Sequence, residues 1–260
     1  MLIRILTSLV GLVVFFTIIF AHQYVLSGAI AIIALLMLYE VYGAMDTKKE
    51  LRSTGFAACV IMFASVFAGK PLFAFYAAII LFMAVMVFLH GKAKCSEVLS
   101  VAAITIFISA SMLSLIFIRS RFGVYAVILP FIVAWLTDTG AYFAGSLLGK
   151  HKLVPKISPK KTIEGAIGGI LLATVATAIF GMIFAEKTID AVYILKFVAM
   201  GIVGSVVSQI GDLAASCIKR DFGKKDYGTV LPGHGGLMDR FDSVLFAAPF
   251  VYFALQFFGI

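Results

Sequence analysis

Charged residues are concentrated in one stretch of the chain, residues 216–242, which lies between two long apolar runs. The cations and carboxylates of this stretch are Lys219, Arg220, Lys224, Lys225, Arg240, Asp221, Asp226, Asp239 and Asp242. Only 13% of the whole chain is charged, so this density is exceptional for it. Cations neutralise phosphate groups and carboxylate oxygens ligate hard metal ions, so the composition suits a bound polyanion together with its metal.

The order of residues within this stretch points the same way. Asp239 and Asp242 are three positions apart, so a helix would put both on one face. His234 precedes them and is followed by Gly235 and Gly236. Glycines ahead of a helix allow backbone N–H groups to approach a phosphate closely. A solvated basic loop would explain the cations, but it would not explain paired aspartates after His-Gly-Gly.

A further carboxylate, Asp212, ends the apolar run that precedes the charged stretch. Gln209, Asp212, Ser216 and Lys219 follow at steps of three and four residues, which predicts one polar helical face. A carboxylate in an apolar run costs several kcal/mol unless it is paired or ligated. An ion pair with a neighbouring helix is the structural alternative, but the position of Asp212 beside the charged stretch favours a metal ligand.

The stretch resembles the signature of the phosphatidate cytidylyltransferases, or CDP-diacylglycerol synthases. The pattern is Ser, Lys-Arg, Lys-Asp, Pro, His-Gly-Gly, Asp-Arg and a final Asp, and the chain matches it without a departure. The matching positions are Ser216, Lys219, Arg220, Lys225, Asp226, Pro232, His234, Gly235, Gly236, Asp239, Arg240 and Asp242. So many fixed positions in one short stretch make a chance match remote.

Earlier elements carry the same resemblance. Members of that family typically have Asp-x-x-Ala-Tyr-x-x-Gly, followed by Ser-Pro-x-Lys-Thr-x-Glu-Gly. The matching positions here are Asp138, Ala141, Tyr142, Gly145, Ser158, Pro159, Lys161, Thr162, Glu164 and Gly165. Thr162 is also a good N-cap for the helix predicted to follow, and Lys160 and Lys161 would then flank a helix N-terminus that favours phosphate.

The resemblance implies an enzyme that transfers CMP from CTP to phosphatidate, giving CDP-diacylglycerol and pyrophosphate. That reaction brings two polyanions together, so we expect Mg²⁺ to be bound by Asp212, Asp239 and Asp242, and a second metal ion stays open. We expect catalysis by Asp212, Asp239, Asp242, Lys219, Arg220, His234 and Arg240. We expect substrate binding by Asp138, Tyr142, Lys160, Lys161, Thr162, Glu164, Ser216, Lys225, Asp226, Gly235 and Gly236.

Two other activities remain open on the sequence. A CTP-dependent polyprenol or phytol kinase would also be polytopic and would also use CTP. A cation-coupled transporter could use Asp138 and Asp212 as ion sites within the membrane. The basic loops and the His-Gly-Gly signature argue against the transporter.

The composition predicts the fold class. A mean hydropathy of +1.10 and several apolar runs of spanning length predict an all-α polytopic integral membrane protein with about nine transmembrane helices. The predicted helices lie near 3–21, 24–41, 55–69, 72–90, 97–118, 123–148, 164–186, 190–215 and 243–260. We expect residues 1–122 to be scaffold, lipid contact or dimer surface, and residues 123–260 to be the catalytic region, with a polar site at the cytoplasmic helix ends.

The net charge of +8 fits a membrane protein that meets anionic lipid and nucleotide, and it is not a nucleic-acid signal here. The expected partners are therefore CTP, phosphatidate and membrane lipids, and a homodimer stays open. The three cysteines lack metal-binding spacing. Lys and Arg set the orientation: with the N-terminus inside, 16 of them fall in inner segments and five in outer ones. This predicts a protein of the cytoplasmic (inner) membrane with its C-terminus outside.

The charge asymmetry yields a topology prediction. Single cysteines introduced into the segments 149–163 and 216–240 should react with a membrane-impermeant thiol reagent only after the cells are opened, because both segments are rich in Lys and Arg. A matched cysteine in the outer segment near Lys70 should react in intact cells. Labelling of the two basic segments from outside would show that the orientation is inverted.

Overall fold

A computed structural model describes residues 2–184, 190–230 and 235–260, and for residues 2–9 and 67 it describes the backbone alone. These residues form nine α-helices and one two-stranded antiparallel hairpin. The elements are α1 (Leu2–Phe20), α2 (Gln23–Ala44), α3 (Lys49–Phe67), α4 (Pro71–Phe88), α5 (Cys95–Ala126), α6 (Leu129–Leu148), β1 (Lys152–Val154), β2 (Ser158–Thr162), α7 (Ile163–Ile183), α8 (Ala191–Asp221) and α9 (Met238–Phe258).

Seven of the described helices, α2 and α4 to α9, are long and apolar enough to cross a membrane. Helix α3 begins with Lys49, Glu50 and Arg52, which shortens its apolar part. The side chains described for α1 form a shorter apolar segment, Val10–Phe20. The predicted fold class is confirmed: the chain is an all-α integral membrane protein, with the small hairpin as its one addition among the described residues.

Two helices extend further into polar sequence than hydropathy predicted. Helix α8 continues to Asp221, six residues beyond the predicted end, and α9 begins at Met238, five residues before the predicted start. Hydropathy locates the apolar part of a helix, whereas the backbone hydrogen bonds continue into its polar ends. Ser216 and Lys219 are therefore helical, and Asp242 lies in the second turn of α9.

The middle of the chain also departs from the predicted boundaries. A helix was expected over 123–148, but Gly123 has φ +87°, a left-handed conformation that breaks α5 near its end. Helix α6 then begins at Leu129 with Pro130 in its first turn, where proline is well tolerated. The basic segment after α6, predicted only as a loop, forms the β1–β2 hairpin, in which Lys152 pairs with Thr162.

The chain divides into two compact units. The first comprises Met1–Ile116 with Lys224–Asp239, and the second comprises Phe117–Gly223 with Arg240–Ile260. Within the first unit, the buried hydroxyls of Tyr42 and Thr105 form a hydrogen bond between α2 and α5. The expected functional division near residue 122 stays a prediction.

Glycines allow the helices of the second unit to pack closely, as small residues commonly do between membrane helices. A Cβ atom on Gly169 of α7 would lie 2.6 Å from the carbonyl oxygen of Thr137 in α6. A Cβ atom on Gly201 of α8 would lie 2.6 Å from the Cα atom of Thr174 in α7. These backbones approach so closely that side chains larger than hydrogen do not fit, and α6, α7 and α8 are held as a tight set.

This packing predicts the effect of a single methyl group. Gly169→Ala should destabilise the protein by about 1–3 kcal/mol, because the new Cβ meets backbone that cannot move alone. The apparent Tm in detergent should fall by several degrees. Gly43→Ala is the control, since a Cβ there meets no atom within 4 Å. An equal Tm for both variants would contradict the close packing.

Candidate active site

Three carboxylates on three helices interact within the second unit. Asp138 lies on α6, Asp212 on α8 and Asp242 on α9. Asp138 and Asp242 each lie within electrostatic range of Asp212 and of each other. These are residues that the sequence assigned to the substrate and to the metal, so the fold brings part of the predicted set together.

Two lysines accompany the carboxylates. Lys161 on β2 forms an ion pair with Asp212, and both side chains are partly buried. Lys219, in the last turn of α8, is only 8% exposed and is in electrostatic contact with Asp242. We call Asp138, Lys161, Asp212, Lys219 and Asp242 the charged cluster. The ion pair that the sequence offered as the alternative for Asp212 is present, with a partner on the hairpin rather than on a helix.

The hairpin and the cap of α7 hold Lys161 in position. The backbone N–H of Ile163 donates to the carbonyl oxygen of His151, which closes the hairpin at its base. Thr162 caps α7 as predicted, because its Oγ1 accepts the N–H of Gly165 at 3.1 Å. Lys161 is therefore fixed between a strand pairing and a helix cap, which leaves its ammonium group directed to α8.

Ser243 links the other two carboxylates of the cluster. Its hydroxyl lies 3.3 Å from Oδ2 of Asp138, and its backbone N–H donates to Oδ1 of Asp242 at 2.8 Å. The predicted polar face of α8 is also present: the hydroxyl of Ser216 lies 3.4 Å from Oδ1 of Asp212. The sequence analysis did not identify Ser243. Its position next to Asp242, near the polar start of a helix, could have indicated it.

Other predicted residues of this unit lie near the cluster in sequence but have different surroundings. Glu164 binds the imidazole of His151, with Oε1 and Nδ1 2.6 Å apart. Tyr142 is exposed one turn after Asp138. Lys160 on β2, Arg220 at the end of α8 and Arg240 in the first turn of α9 are also exposed.

The remaining predicted residues belong to the first unit. Asp239 accepts two backbone hydrogen bonds through Oδ2, from the N–H of Tyr227 at 2.9 Å and from that of Gly236 at 3.3 Å. Gly235 has φ +83°, which explains a glycine at this turn. Lys225 and Asp226 are exposed. His234 lies outside the described residues, so its predicted role stays a prediction.

Glu40 is the residue of this region that sequence reasoning missed. It lies on α2, is 3% exposed, and its Oε2 accepts the N–H of Met238 at 2.8 Å. The sequence could have indicated it, since Glu40 is the one acid in the apolar run of α2 and a carboxylate in such a run needs a partner. No motif includes it, and its partner lies 198 positions away.

The donor chemistry fits a hard divalent cation, because every predicted ligand supplies carboxylate oxygen. Among residues 2–184, 190–230 and 235–260, no three Asp, Glu, His or Cys side chains lie together as a ready-made metal cage. Mg²⁺ commonly takes only one or two carboxylates and completes its shell with water and substrate phosphates. Asp212 and Asp242, which lie within electrostatic range of each other, supply two carboxylates of this kind.

Comparison with known proteins adds an independent finding. A model of the cytidylyltransferase family matches residues 2–258 of the chain. A phosphatidate cytidylyltransferase of Bacillus subtilis is 47% identical over 139 residues, which cover 54% of this chain and 50% of that protein. Phosphatidate cytidylyltransferases of Staphylococcus saprophyticus and Staphylococcus aureus are 48% and 46% identical over 127 residues, 49% of this chain and 47% of each relative. The chain thus spans about half the length of the curated relatives it matches.

Proposed function

Because the chain belongs to the cytidylyltransferase family, we propose that it transfers CMP from CTP to phosphatidate, producing CDP-diacylglycerol and pyrophosphate. The names of the relatives support this choice of acceptor, since each is called a phosphatidate cytidylyltransferase. The proposal makes the protein a nucleotidyltransferase of phospholipid synthesis.

The ion pair between Lys161 and Asp212 is the observation on which the proposal depends most. It joins the two separate motifs, because Lys161 comes from the Ser-Pro-x-Lys-Thr element and Asp212 immediately precedes the 216–242 signature. A cation on the hairpin and a carboxylate on an apolar helix, held together, offer binding to phosphate and to a cation at one point. That combination suits a nucleoside triphosphate, which is itself an anion carrying a metal.

The proposed reaction forms one bond and breaks one. An oxygen of the lipid phosphate attacks the α-phosphorus of CTP, and the bond from that phosphorus to the oxygen of the β-phosphate breaks, so that pyrophosphate leaves with the electron pair. A phosphomonoester has a second pKa of about 6 and is mostly dianionic at neutral pH, so the nucleophile needs little help from a base. The main barriers are repulsion between two polyanions and the charge that develops on pyrophosphate.

The residues of the chain meet these two barriers through charge and position. We propose that Lys161 and Lys225 bind the triphosphate, and that Lys219, Arg220 and Arg240 neutralise the phosphates near the bilayer. His234 would donate a hydrogen bond to a phosphate oxygen. Asp138 would help to hold the nucleotide.

Mg²⁺ is the proposed cofactor, with Asp212, Asp239 and Asp242 as the residues that would hold it. When bound, it would neutralise charge on the triphosphate and on the leaving pyrophosphate. The oxygen-only donor set supports this choice over softer metals. We also propose that the protein lies in the inner membrane with its basic segments facing the cytoplasm, so that soluble CTP reaches the site.

Product analysis tests the function directly. Purified protein given labelled CTP, phosphatidate and Mg²⁺ should form lipid-linked CMP and release pyrophosphate. Asp212→Asn should lower the rate by about 100-fold or more, because it removes a charge proposed to hold the metal. Asp190→Asn is the matched control: this cap of α8 binds the N–H of Tyr193, and Asn caps equally well. Release of CDP instead would identify a kinase, and no use of CTP would contradict the proposal.

Substrate titration tests the assignment of Lys161. Lys161→Ala should raise the apparent KM for CTP by roughly tenfold or more, because a charged hydrogen bond to phosphate is lost, while the KM for phosphatidate changes little. Lys156→Ala, in the exposed turn of the same hairpin, is the control. If Lys161 merely attracts anionic lipid to the surface, the phosphatidate dependence should shift instead, and the shift should vanish at high salt.

A further inference from the structure

Glu40 lies against the glycine-rich part of the signature, and its Oε2 forms the hydrogen bond to it. Its Oε2 accepts the N–H of Met238, the first residue of α9, at 2.8 Å. Helix N-termini leave such N–H groups without a partner inside the helix, and a negative charge there is favoured by the helix dipole. Glu40 therefore caps α9 from a distant helix, a role that a residue just before the helix usually has.

Two glycines surround this carboxylate. A Cβ atom on Gly228 would lie 2.5 Å from Oε1 of Glu40, and a Cβ atom on Gly236 would lie 2.8 Å from its Oε2. The same Cβ on Gly236 would also lie 2.8 Å from Oδ2 of Asp239. The backbone at Gly228 and at Gly236 thus packs against Glu40 too closely for a larger side chain, and Gly236 lies between the carboxylates of Glu40 and Asp239.

Two backbone hydrogen bonds hold the carboxylate of Asp239. Its Oδ2 accepts the N–H of Tyr227, which precedes Gly228, and the N–H of Gly236. Glu40 is 3% exposed, and burying a carboxylate costs several kcal/mol unless its contacts compensate. A residue that only filled space at this point of α2 would not need a charge.

We propose that Glu40 is a positioning residue for the proposed reaction: by anchoring Gly228, Gly236 and Met238, it sets the orientation of Asp239 at the start of α9. This inference rests on the proposed function for its catalytic part. The anchoring part concerns the folded chain alone and can be measured without turnover.

The experiment compares the unmodified protein in detergent with Glu40→Ala, Glu40→Gln, Gly228→Ala and the double variant Glu40→Ala/Gly228→Ala. Hydrogen exchange at residues 227–230 and 235–239 should accelerate by roughly tenfold or more in Glu40→Ala, because a hydrogen bond to a charged acceptor is lost. Gly228→Ala should accelerate it too, because its Cβ collides with Glu40. Exchange in the double variant should be no faster than in Glu40→Ala, because removing the Glu40 side chain relieves that collision.

Rescue and control variants separate positioning from general loss of structure. Glu40→Gln keeps an oxygen acceptor of the same size and should restore slow exchange and most of the kcat that Glu40→Ala loses. Glu97→Ala is the control, because it removes another bonded carboxylate of the same unit, paired with Lys48 at 2.8 Å, and should leave exchange at residues 227–230 and 235–239 unchanged. In Glu40→Ala, kcat should fall by about tenfold or more, with the KM for phosphatidate nearly constant.

Each result decides the inference. Unchanged exchange in Glu40→Ala, or simple additivity of the two single variants, would overturn the anchor. If Glu40→Ala does not fold, Gly228→Ala takes its place, and slow exchange there would overturn it equally. Faster exchange with an unchanged kcat would show an anchor without a role in positioning Asp239. Absence of product with the unmodified protein would refute the proposed function, while the exchange results would still decide the anchor.

Discussion

The controlling constraint on this protein is the cost of carrying charge on apolar helices. A carboxylate in such a setting must find a cation, a hydrogen-bond donor or a ligand close by. Asp212 has Lys161, Asp138 and Asp242 share Ser243, and Glu40 has the N–H of Met238. Apart from the N–H of Ser243 on its neighbour Asp242, each partner comes from a different element of the same unit, so the need to satisfy charge also specifies how the elements meet.

Glycines allow the start of α7 to pack directly against the end of α6. A Cβ atom on Gly145 would lie 3.0 Å from Oγ1 of Thr162, and one on Gly165 would lie 2.8 Å from the carbonyl oxygen of Ala141. The cap of α7 therefore rests directly on α6, and the hairpin strand that ends at Thr162 is held there with it. Lys161 owes its fixed position as much to these small residues as to its own ion pair.

The sequence predicted the fold class, the number of helices among the described residues and the cap at Thr162, because hydropathy and capping are local properties. It also selected Asp138 and Asp212 as candidates, since both interrupt apolar runs, and the structure brings both into the charged cluster. It did not predict the hairpin, whose strands depend on the cap of α7, or the role of Glu40, whose partner is nearly 200 positions away. Pairings over such distances depend on how the helices pack, and no single stretch of sequence records that.

Helix α8 is one unbroken element of 31 residues, so its apolar packing face and its charged end share a single register. Gly201, in the first half of α8, contacts α7, while Asp212, Ser216 and Lys219 lie further along the same helix. Because each residue turns an α-helix by about 100°, adding or removing one residue between Gly201 and Asp212 would swing every later group to another side. This stretch should therefore tolerate substitutions far better than insertions or deletions, because its length sets the direction in which the charged residues point.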